Sequence, residues 1–263
     1  MSLVFSAFVP HSPILIPSIG KEHRIKLENT LKAYDKLAEE LKLAQPETII
    51  IISPHGLIQP FAFTLNLCPD YKINFADFGD LATEKKWQGD LITAQTIKEN
   101  LAGQAPISMI SQPELDYGTS VPLFLLTKDL NQIKIIPFFY AELNRKNHFA
   151  FGKKLRKEIL AANKRIAVIA SGDLSHCLSK DAPAGYRPDG KKFDKKFLSL
   201  LKEAKFIKIM DIDPELIKNA GECGVKSALV LGGILDGSNA APKLLSYEYP
   251  FGVGCAVIYF ALN

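Results

Sequence analysis

Residues 48–56 read TIIIISPHG, and the fold turns on how this stretch is read. The apolar run is unbroken rather than alternating. A strand of that kind is covered on both faces, as in the parallel sheets of α/β proteins. It stops at Ser53-Pro54, and His55 follows at once, with Gly56 behind it to let backbone approach a ligand closely. The same arrangement recurs outward along the chain. The run Leu3–Val9 ends in PHSP, carrying His11, and the run Ile166–Ala170 ends in SGDLSH, carrying His176.

Between these runs the apolar residues take helical spacing. Ile25, Leu27, Leu31, Tyr34, Leu37, Ala38 and Leu41 predict a helix over Glu22–Leu43. Further helices are expected at Asp90–Leu101, Thr119–Lys128, Asn144–Asn163, Lys191–Ala204 (with Asp189 as its cap), Pro214–Ala220 and Val225–Leu235. Phe61–Asn66 alternates and reads as a strand. Ile107–Ile110, Ile133–Phe139, Lys243–Tyr249 and Gly254–Ala261 read the same way. Residues 77–89 and 177–190 read as loops. Strands alternating with helices imply an α/β fold: one three-layer α/β/α domain over 1–263, with a central mixed, mainly parallel sheet. In such folds chemistry gathers at the carboxyl ends of the strands, where His11, His55 and His176 stand.

The bulk properties exclude several classes. The chain has 263 residues, a net charge of +4, 47% apolar and 23% charged residues, all ordinary for a globular protein. The lysines are spread along helical stretches and form no nucleic-acid groove. No apolar run approaches the ~20 residues of a membrane span, and the N-terminus lacks the basic leader of a signal peptide. Cys68, Cys177, Cys223 and Cys255 are far apart and form no C-x-x-C pair, which favours a reducing, cytoplasmic setting.

The three strand-end histidines suggest a metal site. Each could instead be a turn histidine bonded to backbone. Pro10 and Pro13 stiffen the loop around His11, and Asp173 is placed to orient a neighbouring imidazole. Two histidines need a third ligand. Glu222, between Gly221 and Cys223, is the carboxylate candidate, although an acid there can simply stabilise a helix start. Cys223 is the competing ligand, and a thiolate selects softer metals such as zinc or copper. His23 and His148 stand in polar helix starts and are expected on the surface.

The segments HSPIL (11–15), SPHG (53–56), LDYGTSVPL (115–123), IPFFY (136–140), SGDLSH (171–176), GECG (221–224) and YEYPFGVG (247–254) together resemble the class III extradiol ring-cleavage dioxygenases of LigB type. They also resemble the related Memo-like proteins. The resemblance implies Fe(II) held by His11, His55 and Glu222, with His176 as acid/base residue, Asp173 supporting it, and a catechol-like aromatic diol and O2 as substrates. It further implies a homo-oligomer such as a dimer.

One departure stands out: the family's Asp-His-Gly appears here as Asp116-Tyr117-Gly118. Tyrosine, with a pKa near ~10, is a poor base at neutral pH. Tyr117 would then only contact substrate, leaving proton transfer to His176. The Memo-like resemblance implies a different outcome, a metal-binding protein with a redox or interaction role and no ring cleavage, using Cys223. A zinc-dependent hydrolase on the same scaffold is a third expectation.

Overall fold

The computed structural model describes residues 2–262. The strands are β1 (Leu3–Val9), β2 (Thr48–Ser53), β3 (Phe63–Asn66), β4 (Asp70–Ile73), β5 (Lys86–Gly89), β6 (Ile107–Ile110), β7 (Glu114–Leu115), β8 (Lys134–Phe139), β9 (Ile166–Ser171), β10 (Ala241–Glu248) and β11 (Cys255–Ala261). The helices are α1 (Pro17–Gly20), α2 (Glu28–Ala44), α3 (Leu91–Asn100), α4 (Tyr117–Leu126), α5 (Arg145–Ala161), α6 (Pro188–Lys202), α7 (Phe206–Ile209), α8 (Pro214–Ala220) and α9 (Val225–Leu235).

The strands form one mixed sheet in the order β10-β11-β1-β9-β2-β8-β5-β4-β7, with β3 also paired to β8 and carrying β6 on its other edge. Its centre is parallel: β1 runs alongside β9, β9 alongside β2 and β2 alongside β8. The isoleucine run of β2 is continuous because both faces are covered. Ile49 and Ile51 pack with α2 and α4, while Ile50 and Ile52 pack in the core built by α3, α5, α6 and α9. Full burial of such a side chain stabilises the fold by roughly 1.5–3 kcal/mol. This is the three-layer α/β architecture that the alternation of elements predicts.

Several local expectations need correction. Helix α2 begins at Glu28 rather than Glu22, because Lys21 takes a positive φ of 44° and residues 21–27 wind more tightly. β3 starts at Phe63 and is buried throughout instead of alternating. The segment 77–89 is not all loop, since it ends in β5, and the short strands β4 and β7 had no clear apolar signature.

Helix α4 starts at Tyr117 rather than Thr119, capped by the Asp116 side chain, so Pro122 lies well inside it. Pro188 opens α6, leaving Asp189 within the first turn instead of at the cap. His148 is fully buried: Nδ1 lies 2.8 Å from the Asn144 carbonyl and Nε2 3.1 Å from the Ala141 carbonyl. Its position in the first turn of α5, facing the sheet, overrides the polar local sequence. No helix among the described residues is long and apolar enough to cross a membrane.

Candidate metal centre

Because β1, β9 and β2 are adjacent and parallel, their carboxyl ends deliver His11, the segment Ser171–His176 and His55 to one edge of the sheet. The Pro10 carbonyl is tied down by the Tyr34 hydroxyl of α2, which holds the turn carrying His11. A fourth element arrives from the end of the chain. A Cβ on Gly172 would sit 2.3 Å from the Gly224 Cα, so the 221–224 turn can press on the exit of β9 only with glycine at both positions. That approach sets Cys223 against Asp173, whose N–H donates to Sγ at 3.3 Å.

His11 Nε2 and His55 Nε2 face each other at 2.9 Å, and Cys223 Sγ lies 3.5 Å from His11 Nε2. The Tyr117 hydroxyl is 2.9 Å from His55 Nε2, and its ring stacks on His55 with centroids 4.3 Å apart. Donor atoms of His11, His55 and Cys223 all lie within 4.8 Å of one another, as do those of Asp173, His176 and Cys223.

The hydrogen bonds assign the His11 tautomer. Proline has no N–H, so Pro122 cannot donate to the Gly118 carbonyl four residues before it in α4. That carbonyl instead accepts the Ser171 hydroxyl at 2.5 Å. With its proton so used, Ser171 Oγ accepts from His11 Nδ1 at 2.8 Å. Nδ1 therefore carries the hydrogen, and the Nε2 lone pair points at His55 and Cys223.

Burial holds both imidazoles neutral. It brings His11 down to about 3, with His176 adding to the effect, and His55 to about 3, with His11 adding. The 3.5 Å approach of His11 Nε2 to Asp173 Oδ2 is thus not an ion pair. Burial also pushes the Cys223 thiol well above its ordinary range and raises the Asp173 carboxyl.

This donor set fits a metal ion. If His55 accepts the Tyr117 proton at Nε2, two imidazole lone pairs meet at 2.9 Å with a thiol beside them. A cation there would satisfy both nitrogens and draw the thiol into its thiolate form.

The profile of the family described as the catalytic LigB subunit of aromatic ring-opening dioxygenase matches residues 6–258. The chain belongs to this family. Protein CA_C1420 of Clostridium acetobutylicum is 35% identical over 98% of this chain. The chain spans only 57% of that protein's length. A 3,4-dihydroxyphenylacetate 2,3-dioxygenase of Escherichia coli is 24% identical over 89% of this chain and 90% of its own. In fold, the chain resembles an uncharacterized protein JW3007 from Escherichia coli K12, with a TM-score of 0.71 at 16% identity, covering 98% of this chain and all of that one.

Within this LigB chain, the structure brings together His11, His55, Asp173, His176, Cys223 and Tyr117. It does not bring Glu222 into either donor group. The Glu222 carboxylate turns to the start of α9, where Oε2 accepts the Val225 N–H at 2.6 Å. Burial raises its pKa to about 7, against the pull of the Val225 and Gly224 N–H groups. Cys223, the competing ligand, occupies the place beside the imidazoles. Asp173 is bonded to the His11 N–H at 3.0 Å. His176 is half-buried and its Nδ1 has no hydrogen-bond partner.

Two cavities flank the centre. One, of about 320 Å³, is bounded by Ile14, Phe78, Tyr117, Asp173, His176 and Phe251. The other, of about 560 Å³, shares Tyr117 and Phe78 with the first and reaches His55, Asn74 and Gln112. Ser171, Gly118 and Phe78 were not singled out from sequence. A proline inside a helix was the available signal for the first two.

Proposed function

We propose that this chain is a metal-dependent oxidoreductase that opens a small catechol-like diol with O2, using a metal held by His11, His55 and Cys223. The observation that carries the reading is the convergence of three donor atoms within 4.8 Å beside an apolar, aromatic-walled cavity. Fe(II) is the metal of choice, because the family is one of ring-opening dioxygenases. When bound, it would lower the pKa of a substrate hydroxyl and orient substrate and O2 together.

The remaining work falls to the chain. In this reading the 320 Å³ cavity would hold the diol between Tyr117 and Phe251. His176 takes a hydroxyl proton and later returns it, a task suited to an imidazole. Asp173 stands beside it and balances the imidazolium. Tyr117 donates a hydrogen bond and removes no proton, since burial raises its pKa further above the ordinary phenol value.

One observation favours a second reading. Cys223 stands beside the imidazoles while Glu222 caps α9. A thiolate ligand and a non-basic Tyr117 suit a Memo-like metal-binding protein with a redox or interaction role and no ring cleavage.

The deciding experiment loads reduced protein anaerobically with Fe(II), then adds oxygen and a panel of catechols. The first reading expects oxygen uptake with yellow ring-opened product, lost in His176→Ala. Stoichiometric Fe(II) binding without product from any catechol would transfer the assignment to the second.

A further inference from the structure

The amino edge of the sheet, at the opposite end of the strands from the imidazoles, carries a cavity of about 450 Å³. It lies between β5, the start of β8 and the loop 130–133 that leads into β8. β8 is six residues long, so roughly 20 Å of strand separates this cavity from the carboxyl edge. Three lysines line it, Lys85, Lys86 and Lys134, against one acid, Asp70. The ion pairs of the described residues use other lysines and leave these three without one.

Strand register sets these groups side by side. Gln88 of β5 stands opposite Lys134 of β8 on one side and Asp70 of β4 on the other. Lys86, two residues before Gln88, shares its face of the strand. Lys86 also stands directly opposite Lys72, a like-charge pairing that costs stability. Glu114 serves Lys72 and leaves Lys86 without a counter-charge. Lys85 is held from elsewhere: its Nζ donates to the Thr127 carbonyl at 2.9 Å, 5.6 Å from the centre of the Trp87 ring and 5.8 Å from that of Phe124. Burial lowers its pKa, with Asp129 pulling the other way. In the loop, the N–H groups of Asn131, Gln132 and Ile133 find no backbone acceptor among the described residues. Unpaired ammonium groups and free amide donors around one hollow are what an anion site is made of.

We propose that this cavity binds a small polyanion of the phosphate class, gripped by Lys86 and Lys134, with Lys85 and the amides of 131–133 completing the hold. A compact ligand with several charges suits three cations gathered in one hollow. A nucleic-acid strand suits it less, since that needs a track of cations and exposed aromatic faces for its bases, and Trp87 is buried. The volume exceeds what two phosphate groups fill, so an organic molecule carrying two phosphates, or a pyrophosphate, fits the space. The inference uses no residue of the candidate metal centre and stands or falls apart from it.

The test titrates the metal-free full chain with inorganic phosphate, pyrophosphate and fructose bisphosphate at constant ionic strength. Calorimetry measures affinity, and tryptophan emission locates the event, because Trp87 is the single tryptophan of the chain. Its indole N–H donates to the Thr127 hydroxyl, whose residue also supplies the carbonyl that Lys85 holds, so an anion drawing on Lys85 should move the emission. Saturable binding is expected, tighter for the two doubly phosphorylated probes than for phosphate and weaker at higher salt. Lys86→Gln and, independently, Lys134→Gln should each weaken it about 10-fold. Asp70→Asn, which removes the one acid of the lining, should tighten it.

Preference for fructose bisphosphate over pyrophosphate would mark the ligand as an organic phosphate ester, and the reverse order as a pyrophosphate group. Heat and emission changes no larger than those from sodium chloride of equal ionic strength would overturn the inference. So would an affinity that both lysine variants keep. Circular dichroism of each variant identifies any loss that comes from unfolding, and two separate lysine variants protect the test from failure of either one.

Discussion

Ser171 Oγ lies 2.8 Å from Nδ1 of His11 and acts as the acceptor that fixes which nitrogen of the ring is bare. The serine can play this part because its own proton is committed to the Gly118 carbonyl. If His11 ligates the proposed metal, this bond keeps its lone pair aimed at that position. Ser171→Ala should therefore weaken metal binding about 10–100-fold. Competition with a chromophoric chelator measures it. Ser171→Thr, which keeps the hydroxyl, should recover most of the affinity, whereas a purely packing role for Ser171 would leave affinity unchanged.

The commitment of Ser171 depends in turn on Pro122. Pro122→Ala places an N–H where α4 needs one for its Gly118 carbonyl. That donor competes with Ser171 Oγ and frees the hydroxyl proton, so the His11 tautomer is no longer dictated. The expected variant is as stable as the wild type or more so, since proline inside a helix costs up to about 3 kcal/mol. It nonetheless binds metal more weakly. Melting temperature and metal affinity should move in opposite directions, and a parallel fall in both would count against the relay.

His148 gives the fold an acid-sensitive point away from the centre. Burial brings its pKa to about 4, below the unfolded value of 6.5. A group with a lower pKa in the folded state contributes its stability above the unfolded pKa and loses it as pH falls from 6.5 towards 4. Between pH 8 and pH 5 the loss from this residue is about 2 kcal/mol. Urea unfolding of metal-free protein at the two pH values should show a smaller pH dependence in His148→Gln than in the wild type. Equal slopes would remove His148 from the account.

Much of this was legible in the chain because its signals are local. The isoleucines of β2 announce a strand covered on both faces, and a histidine just past three such strands announces imidazoles gathered at one edge of the sheet. Less was legible where the deciding partner is remote. Whether Glu222 or Cys223 faces the imidazoles depends on which side chain the α9 start claims, and Glu222 is drawn to the free Val225 N–H. His148 reads as a surface residue from its neighbours because the sheet that buries it is specified elsewhere. The short strands β4 and β7 owe their existence to pairing partners and carry little apolar pattern of their own.

Cys223 and His11 lie 3.5 Å apart in space and 212 positions apart in the chain. On the proposed reading, an ion shared between them would fasten the turn after the first strand to the last third of the molecule. Because the unfolded chain must close a loop of that length to make the same bond, such a metal would act as a reversible rivet whose grip exists only in the assembled sheet. Metal supply would then set how tightly these two distant segments are held together, as well as whether the centre can react.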